Sequence, residues 1–107
     1  MSNCQSIENR PGCIQSTLAV LGEKWTALIL GTLSEGTRTF SELELITVGI
    51  NPRTLSQRLD KLAGEKIIAK KLYNERPPRY RYELTPKGSE LQSVLIAMAD
   101  WGDKYHQ

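Results

Sequence analysis

A mainly α fold with one small β-hairpin is what this 107-residue sequence predicts. Three observations carry that reading. Apolar residues recur at three- and four-residue spacing in five separate stretches, one later segment alternates with period two, and glycine or cap-plus-proline devices fall between them. A chain of this length supports one domain with a modest core. Its apolar share of 39% and charged share of 24% lie in the ordinary globular range. We therefore expect a flexible N-terminal segment at 1–12 and a single domain at 13–107.

The first helix is expected from Ile14, with Leu18, Val20 and Leu21 on its apolar side and Gly22 near its end. Trp25, Leu28, Ile29 and Leu33 repeat at helical spacing, and Gly36 supplies the stop. Thr39 followed three residues later by Glu42 is a capping box, so a third helix should begin at Phe40 and bury Leu43 and Ile46. Gly49 can take a left-handed turn at low cost. Asn51 then caps a fourth helix whose first position is Pro52, where a missing amide hydrogen costs nothing. Leu55, Leu59 and Leu62 form one stripe of that helix, and Arg53, Thr54, Gln57 and Lys61 fall on the other side, with Arg58 at the edge.

After Gly64 the period changes. IIAKKLY and RYRYEL read as two strands joined by NERPP, a hairpin over about 67–84 with Arg79 and Arg81 on one side and Tyr80 and Tyr82 on the other. Thr85-Pro86 repeats the cap-plus-proline device, and a long helix over about 86–105 carries Leu91, Val94, Leu95, Met98, Trp101 and Tyr105.

Charge is distributed unevenly along this plan. The formal net charge is +2, yet residues 53–81 hold nine Lys or Arg against three acids, leaving five basic and nine acidic residues elsewhere. A basic segment in an acidic frame suggests a polyanion met on one surface, although a solvated face is the plain alternative. Two helices around a glycine turn at about 39–64 form a helix-turn-helix, whose second helix fits a major groove about 12 Å wide. With the basic hairpin after it, the plan is a winged helix-turn-helix, and double-stranded DNA is the expected partner. No apolar run approaches the ~20 residues needed to cross a bilayer. The stretch MSNCQSIENRPG lacks the regions of a secretory signal, so a cytoplasmic protein is expected. Cys4 and Cys13, with no CxxC and a single histidine, His106, argue against a structural zinc site or disulfide scaffold. Neither a metal nor another cofactor is expected, and no histidine is placed to serve a thiol enzyme.

The run LAVLGEKWTALILGTL at 18–33 resembles the HxlR-type bacterial regulators, with their L-x-V-x-G-x-K-W-x-x-L-I-L signature. The likeness continues through FSEL at 40–43, GI at 49–50, R-x-L-x-x-R-L at 53–59, PPR at 77–79 and YELTPKG at 82–88, most of the chain. The resemblance implies a dimeric winged-helix transcription factor on an inverted repeat, dimerising through its terminal helices, with an N-terminal cysteine that often senses oxidants or electrophiles. Three positions depart from the pattern. Cys13 lies one residue closer to Leu18 than the family's cysteine and no proline follows it; Thr39 stands where an arginine is frequent; Arg81 stands where a glutamate is common.

Roles can now be assigned as expectations. Arg53 and Gln57 suit base edges, since Arg pairs bidentately with guanine and Gln with adenine, and Thr54 supports them. Lys61 suits phosphate. Arg58 either joins the DNA face or pairs with an acid such as Glu42. Asn51 is first a cap and second a phosphate contact, and Arg76, Arg79 and Arg81 of the wing position the duplex. The stripe Leu91, Leu95, Met98, Trp101 and Tyr105 outlasts what one small domain need cover, so a second copy is expected on it. Cys13 near a helix start would have its thiolate favoured by the exposed amides, or it is simply a small apolar residue. Two alternatives stay open: a winged-helix protein-interaction module, and a regulator that answers a small effector without thiol sensing.

Overall fold

The computed structural model describes residues 11–106. The expected flexible segment at 1–12 and Cys4 thus lie outside the described residues, apart from positions 11 and 12, which already belong to a helix. That helix, α1 (Pro11–Leu21), turns sharply at Gly22, whose N–H donates to the Leu18 carbonyl at 2.7 Å. The central helix α2 (Thr26–Leu33) buries Thr26, Ile29, Leu30 and Leu33, and everything else is laid around it.

A two-residue strand, β1 (Arg38–Thr39), leads directly into α3 (Phe40–Ile46). Both arms of the Thr39 capping box form: the Glu42 N–H donates to Thr39 Oγ1 at 3.2 Å, and the Thr39 N–H donates to Glu42 Oε1 at 2.8 Å. Leu43 is fully buried, while Phe40 and Ile46 are half-buried against the core. The turn to the next helix runs through Gly49 at φ +100, a left-handed conformation that costs an L side chain about 1–2 kcal/mol. Then α4 (Pro52–Gly64) begins with Asn51 Oδ1 accepting from the Thr54 N–H at 2.8 Å. Its Leu55, Leu59 and Leu62 close the core with Leu21, Leu43, Ile67, Ile68 and Tyr82. Each such burial stabilises by about 1.5–3 kcal/mol.

The hairpin is β2 (Ile68–Glu75) and β3 (Pro78–Leu84), antiparallel, with Lys71 opposite Arg81 and a bulge between Leu72 and Asn74. β1 pairs with the free edge of β3, Arg38 opposite Tyr82, giving a three-stranded sheet in the order β1-β3-β2. The sequence predicted only the hairpin, because two residues are too few to show a period.

One expectation is corrected. The C-terminal helix expected over 86–105 is two helices, α5 (Pro86–Ser89) and α6 (Gln92–Tyr105), with a break at Glu90–Leu91. The Thr85 hydroxyl donates to the Lys66 or Ile67 carbonyl and accepts from the Gly88 N–H at 3.0 Å, tying α5 to the end of α4 and the start of the sheet. Gly88 lies so close to the Ile67 carbonyl that any Cβ there would collide with it. A helix pinned that tightly must bend before Leu91 and Leu95 can reach the core. The Leu91 N–H accordingly reaches back only three residues, to Gly88.

Candidate nucleic-acid interface

α4 presents two chemically opposite sides. Leu55 and Leu59 are 0% exposed, whereas Arg53, Gln57 and Lys61 are exposed on the far side. Thr54 is half-buried, its N–H already engaged by Asn51. Asn51 is exposed with its side-chain oxygen serving as the cap.

The hairpin extends the same basic character. Arg76, Arg79 and Arg81 are all exposed. Alternation along β3 sets Arg79 and Arg81 on one side and Tyr80 and Tyr82 on the other. Tyr82 is buried in the core, which pushes its phenol above the ordinary range, with Asp60 and Tyr80 adding to the effect. Tyr80 stays exposed and carries the Lys70 ammonium 4.3 Å from its ring centre. Lys71 is partly drawn off by Glu83 at 3.3 Å.

Between the helices and the hairpin lies an open cleft of about 450 Å³. Ser41 and Ser56 line it from the helices, and Lys70, Tyr73, Arg79 and Tyr80 from the hairpin. Hydroxyls and cations converging on one cleft suit the oxygen atoms of a phosphate backbone. Ser41, Ser56 and Lys70 were not singled out from the sequence. Lys70 figured there only in the charge count, and a serine on a polar helix side carries no periodic signal.

Arg58 pairs with an acid, one of its two expected roles. Its ion-pair partner is Glu23, in the turn between α1 and α2, and not Glu42, whose carboxylate is committed to the Thr39 cap. Glu23 also takes Lys61, with Nζ 2.8 Å from Oε1. The hydrogen bond from Lys61 holds the Glu23 carboxyl below its ordinary range; burial opposes this, and the charges of Arg58 and Lys61 assist it. Arg58 Nε is buried and has no hydrogen-bond partner.

The remaining expected positions lie on and just before α6. Met98 is 49% exposed, Trp101 and Tyr105 are each 58% exposed, and Leu91 and Leu95 are half-buried against the subunit's own core. Ile14 and Leu18 of α1 are exposed nearby. Ile14, Leu18, Val94 and Met98 line an apolar groove of about 320 Å³, with Cys13 at its edge. Cys13 is disulfide-bonded, so the thiolate expected at the helix start is not the state described. Among the described residues no cluster of His, Cys, Asp and Glu could hold a metal ion, and no helix is long and apolar enough to cross a membrane.

Comparison with known proteins bears on this geometry. The HTH-type transcriptional regulator YdeP of Bacillus subtilis (strain 168) is 34% identical over 101 residues, which cover 94% of this chain and 79% of YdeP. The redox regulator HypR in its oxidised form matches with a TM-score of 0.81 at 28% identity, covering 89% of this chain and 98% of HypR. The transcriptional regulator YodB from B. subtilis, in its reduced form, matches with a TM-score of 0.76 at 30% identity, covering 89% of this chain and 93% of YodB. YodB has also been solved bound to quinone. Residues 20–107 match the family described as HxlR-like helix-turn-helix. A half-polar α4 beside a basic hairpin is thus the DNA-binding architecture of a transcriptional regulator and not of an enzyme, and the chain belongs to the HxlR-like helix-turn-helix family.

Proposed function

We propose that the protein is a homodimeric, sequence-specific regulator of transcription that binds an inverted-repeat operator in double-stranded DNA and responds to oxidants or electrophiles through Cys13. One observation carries the DNA reading: Arg53 and Gln57 stand exposed opposite the buried leucines of α4, beside a hairpin whose three arginines are also exposed. In this reading Arg53 and Gln57 read base edges with Thr54 in support, and Asn51, Lys61, Arg76, Arg79 and Arg81 hold the backbone. Arg58, the other candidate for the DNA face, is paired with Glu23 and takes no base-reading role in this reading.

Dimerisation is supported by the exposed stripe Met98, Trp101 and Tyr105, continuous with Ile14 and Leu18. A second copy over that stripe, with Leu91 and Leu95 beneath it, would space two copies of α4 along one face of the duplex. Thiol sensing is supported by Cys13, which is exposed on α1 and disulfide-bonded, the oxidised end of such a switch. The reading also draws on the likeness to HypR, a redox regulator, and to YodB, which has been solved with quinone bound. Closing the disulfide removes two electrons and two protons from a pair of thiols, and the oxidant accepts them. A small-effector reading that needs no thiol chemistry draws on the apolar groove beside Cys13.

The decisive experiment selects bound sequences from a random DNA pool with reduced and with oxidised protein. An inverted-repeat consensus whose recovery changes with oxidation supports the proposal. Recovery of no consensus, with affinity insensitive to salt, would instead favour a protein-interaction module. An unchanged oxidant response in Cys13→Ser would remove this residue from the mechanism.

A further inference from the structure

One carboxylate holds two of the nine cations in the basic segment. Glu23 lies just past Gly22, where α1 ends, and its own carbonyl accepts the Thr26 N–H at 3.2 Å, so its backbone forms part of a stiff corner. From there its side chain reaches across to α4, one oxygen to the Arg58 guanidinium and the other to Lys61 Nζ. The pair is not evenly buried. The Arg58 and Glu23 side chains are 31% and 26% exposed, while Lys61 is 47% exposed. Arg58 is the more enclosed of the two cations: its Nε is shielded from solvent, and its guanidinium is engaged by Glu23. Lys61 sits at the rim of the clamp, with one acceptor behind it and open solvent in front.

We infer that Glu23 limits the charge of the DNA-binding face: it retains Arg58 and competes with phosphate for Lys61, so α4 meets any duplex with its sequence-independent attraction reduced. This rests on the DNA-binding reading above. Counterion release explains the consequence. Every cation that meets a phosphate adds about 0.9 to the salt slope and strengthens binding to all sequences alike. Masking Lys61 lowers that indiscriminate share and leaves contacts by Arg53 and Gln57 as a larger part of the total. A term common to all sequences cancels from their difference, so the preference set by Arg53 and Gln57 is kept while affinity for every duplex is lowered.

Glu23→Gln tests this, since it keeps the shape and removes the charge. Specific and random duplexes are titrated between about 50 and 200 mM salt, with wild type, Glu23→Gln, Lys61→Ala and the double variant. The expected result is a slope steeper by about one in Glu23→Gln, which is roughly a threefold extra loss of affinity across that range. Random DNA and the operator should gain alike at low salt, and the change should vanish in the Lys61→Ala background. A slope unchanged by Glu23→Gln, or steeper to the same degree without Lys61, would overturn the inference while leaving DNA binding intact. Weakened binding with an unchanged slope would also overturn it, since Glu23 would then merely brace the fold; thermal midpoints of all four proteins identify that case. A wild type that shows no salt-dependent DNA binding would end the regulator reading itself and this inference with it.

Discussion

Arg53 and Arg79 carry the same charge in different settings, and the difference predicts how their loss is felt. Arg53 stands one residue inside α4, on the side opposite the core; Arg79 stands on the hairpin beside the open cleft. Arg53→Ala is expected to cost about 1–3 kcal/mol of operator binding and to relax preference at one or two base pairs. Arg79→Ala should weaken every sequence alike and flatten the salt slope by about one. Equal losses on operator and random DNA in both variants would refute the division. Glu23 gives a second expectation at this scale. Its folded-state carboxyl is held below the ordinary value of 4.5, so its pairing stabilises the fold fully above that value and the contribution fades as pH falls through the depressed one. Thermal midpoints measured from about pH 6 down to about pH 3 should therefore fall more steeply in wild type than in Glu23→Gln. Glu42, lowered by the Thr39 backbone N–H, should keep some slope in the variant. The exposed face of α4 was readable because helical period alone sorts Arg53 and Gln57 from the leucines. The clamp was not, because Glu23 lies 38 residues before Lys61 and only tertiary packing joins them.

At the scale of elements, strong local chemistry was legible and weak or tightly packed features were not. The capping box at Thr39, the Asn51-Pro52 start and the Thr85 cap all form as the sequence signals, since each depends on neighbours in the chain. The break at Glu90–Leu91 was invisible because apolar residues continue at helical spacing through it. Its cause is a contact with Ile67, distant in sequence. Gly88 is therefore the residue on which this corner depends. Gly88→Ala must push α5 off the Ile67 carbonyl and loosen the Thr85 bonds, with an expected loss of about 1–3 kcal/mol in denaturant unfolding. A variant as stable as wild type would show that the corner yields easily.

For the whole molecule, the polar α4 and hairpin lie at one place and the uncovered apolar stripe at another, which is what a protein holding DNA and a second copy requires. Trp101→Ala with Met98→Glu should shift the protein from dimer to monomer in light scattering at micromolar concentration and weaken operator binding far more than half-site binding. A wild type that is already monomeric there would remove the paired-subunit picture. Residue spacing revealed the stripe on α6, but not that Leu91 and Leu95 turn inward or that Ile14 and Leu18 of α1 extend the uncovered surface.

The two residues of β1 have a mechanical consequence. By pairing Arg38 with Tyr82 and Thr39 with Arg81, they fasten the first turn of α3 to the hairpin. The chain then resembles a caliper with one jaw tied to the other: the start of α3 and the hairpin are joined through the sheet. If the proposed dimer and thiol response both hold, a signal at α1 would act on the angle between the two copies. Footprints of reduced and oxidised protein should accordingly differ in how far apart the half-sites may lie, and agree on the letters within each.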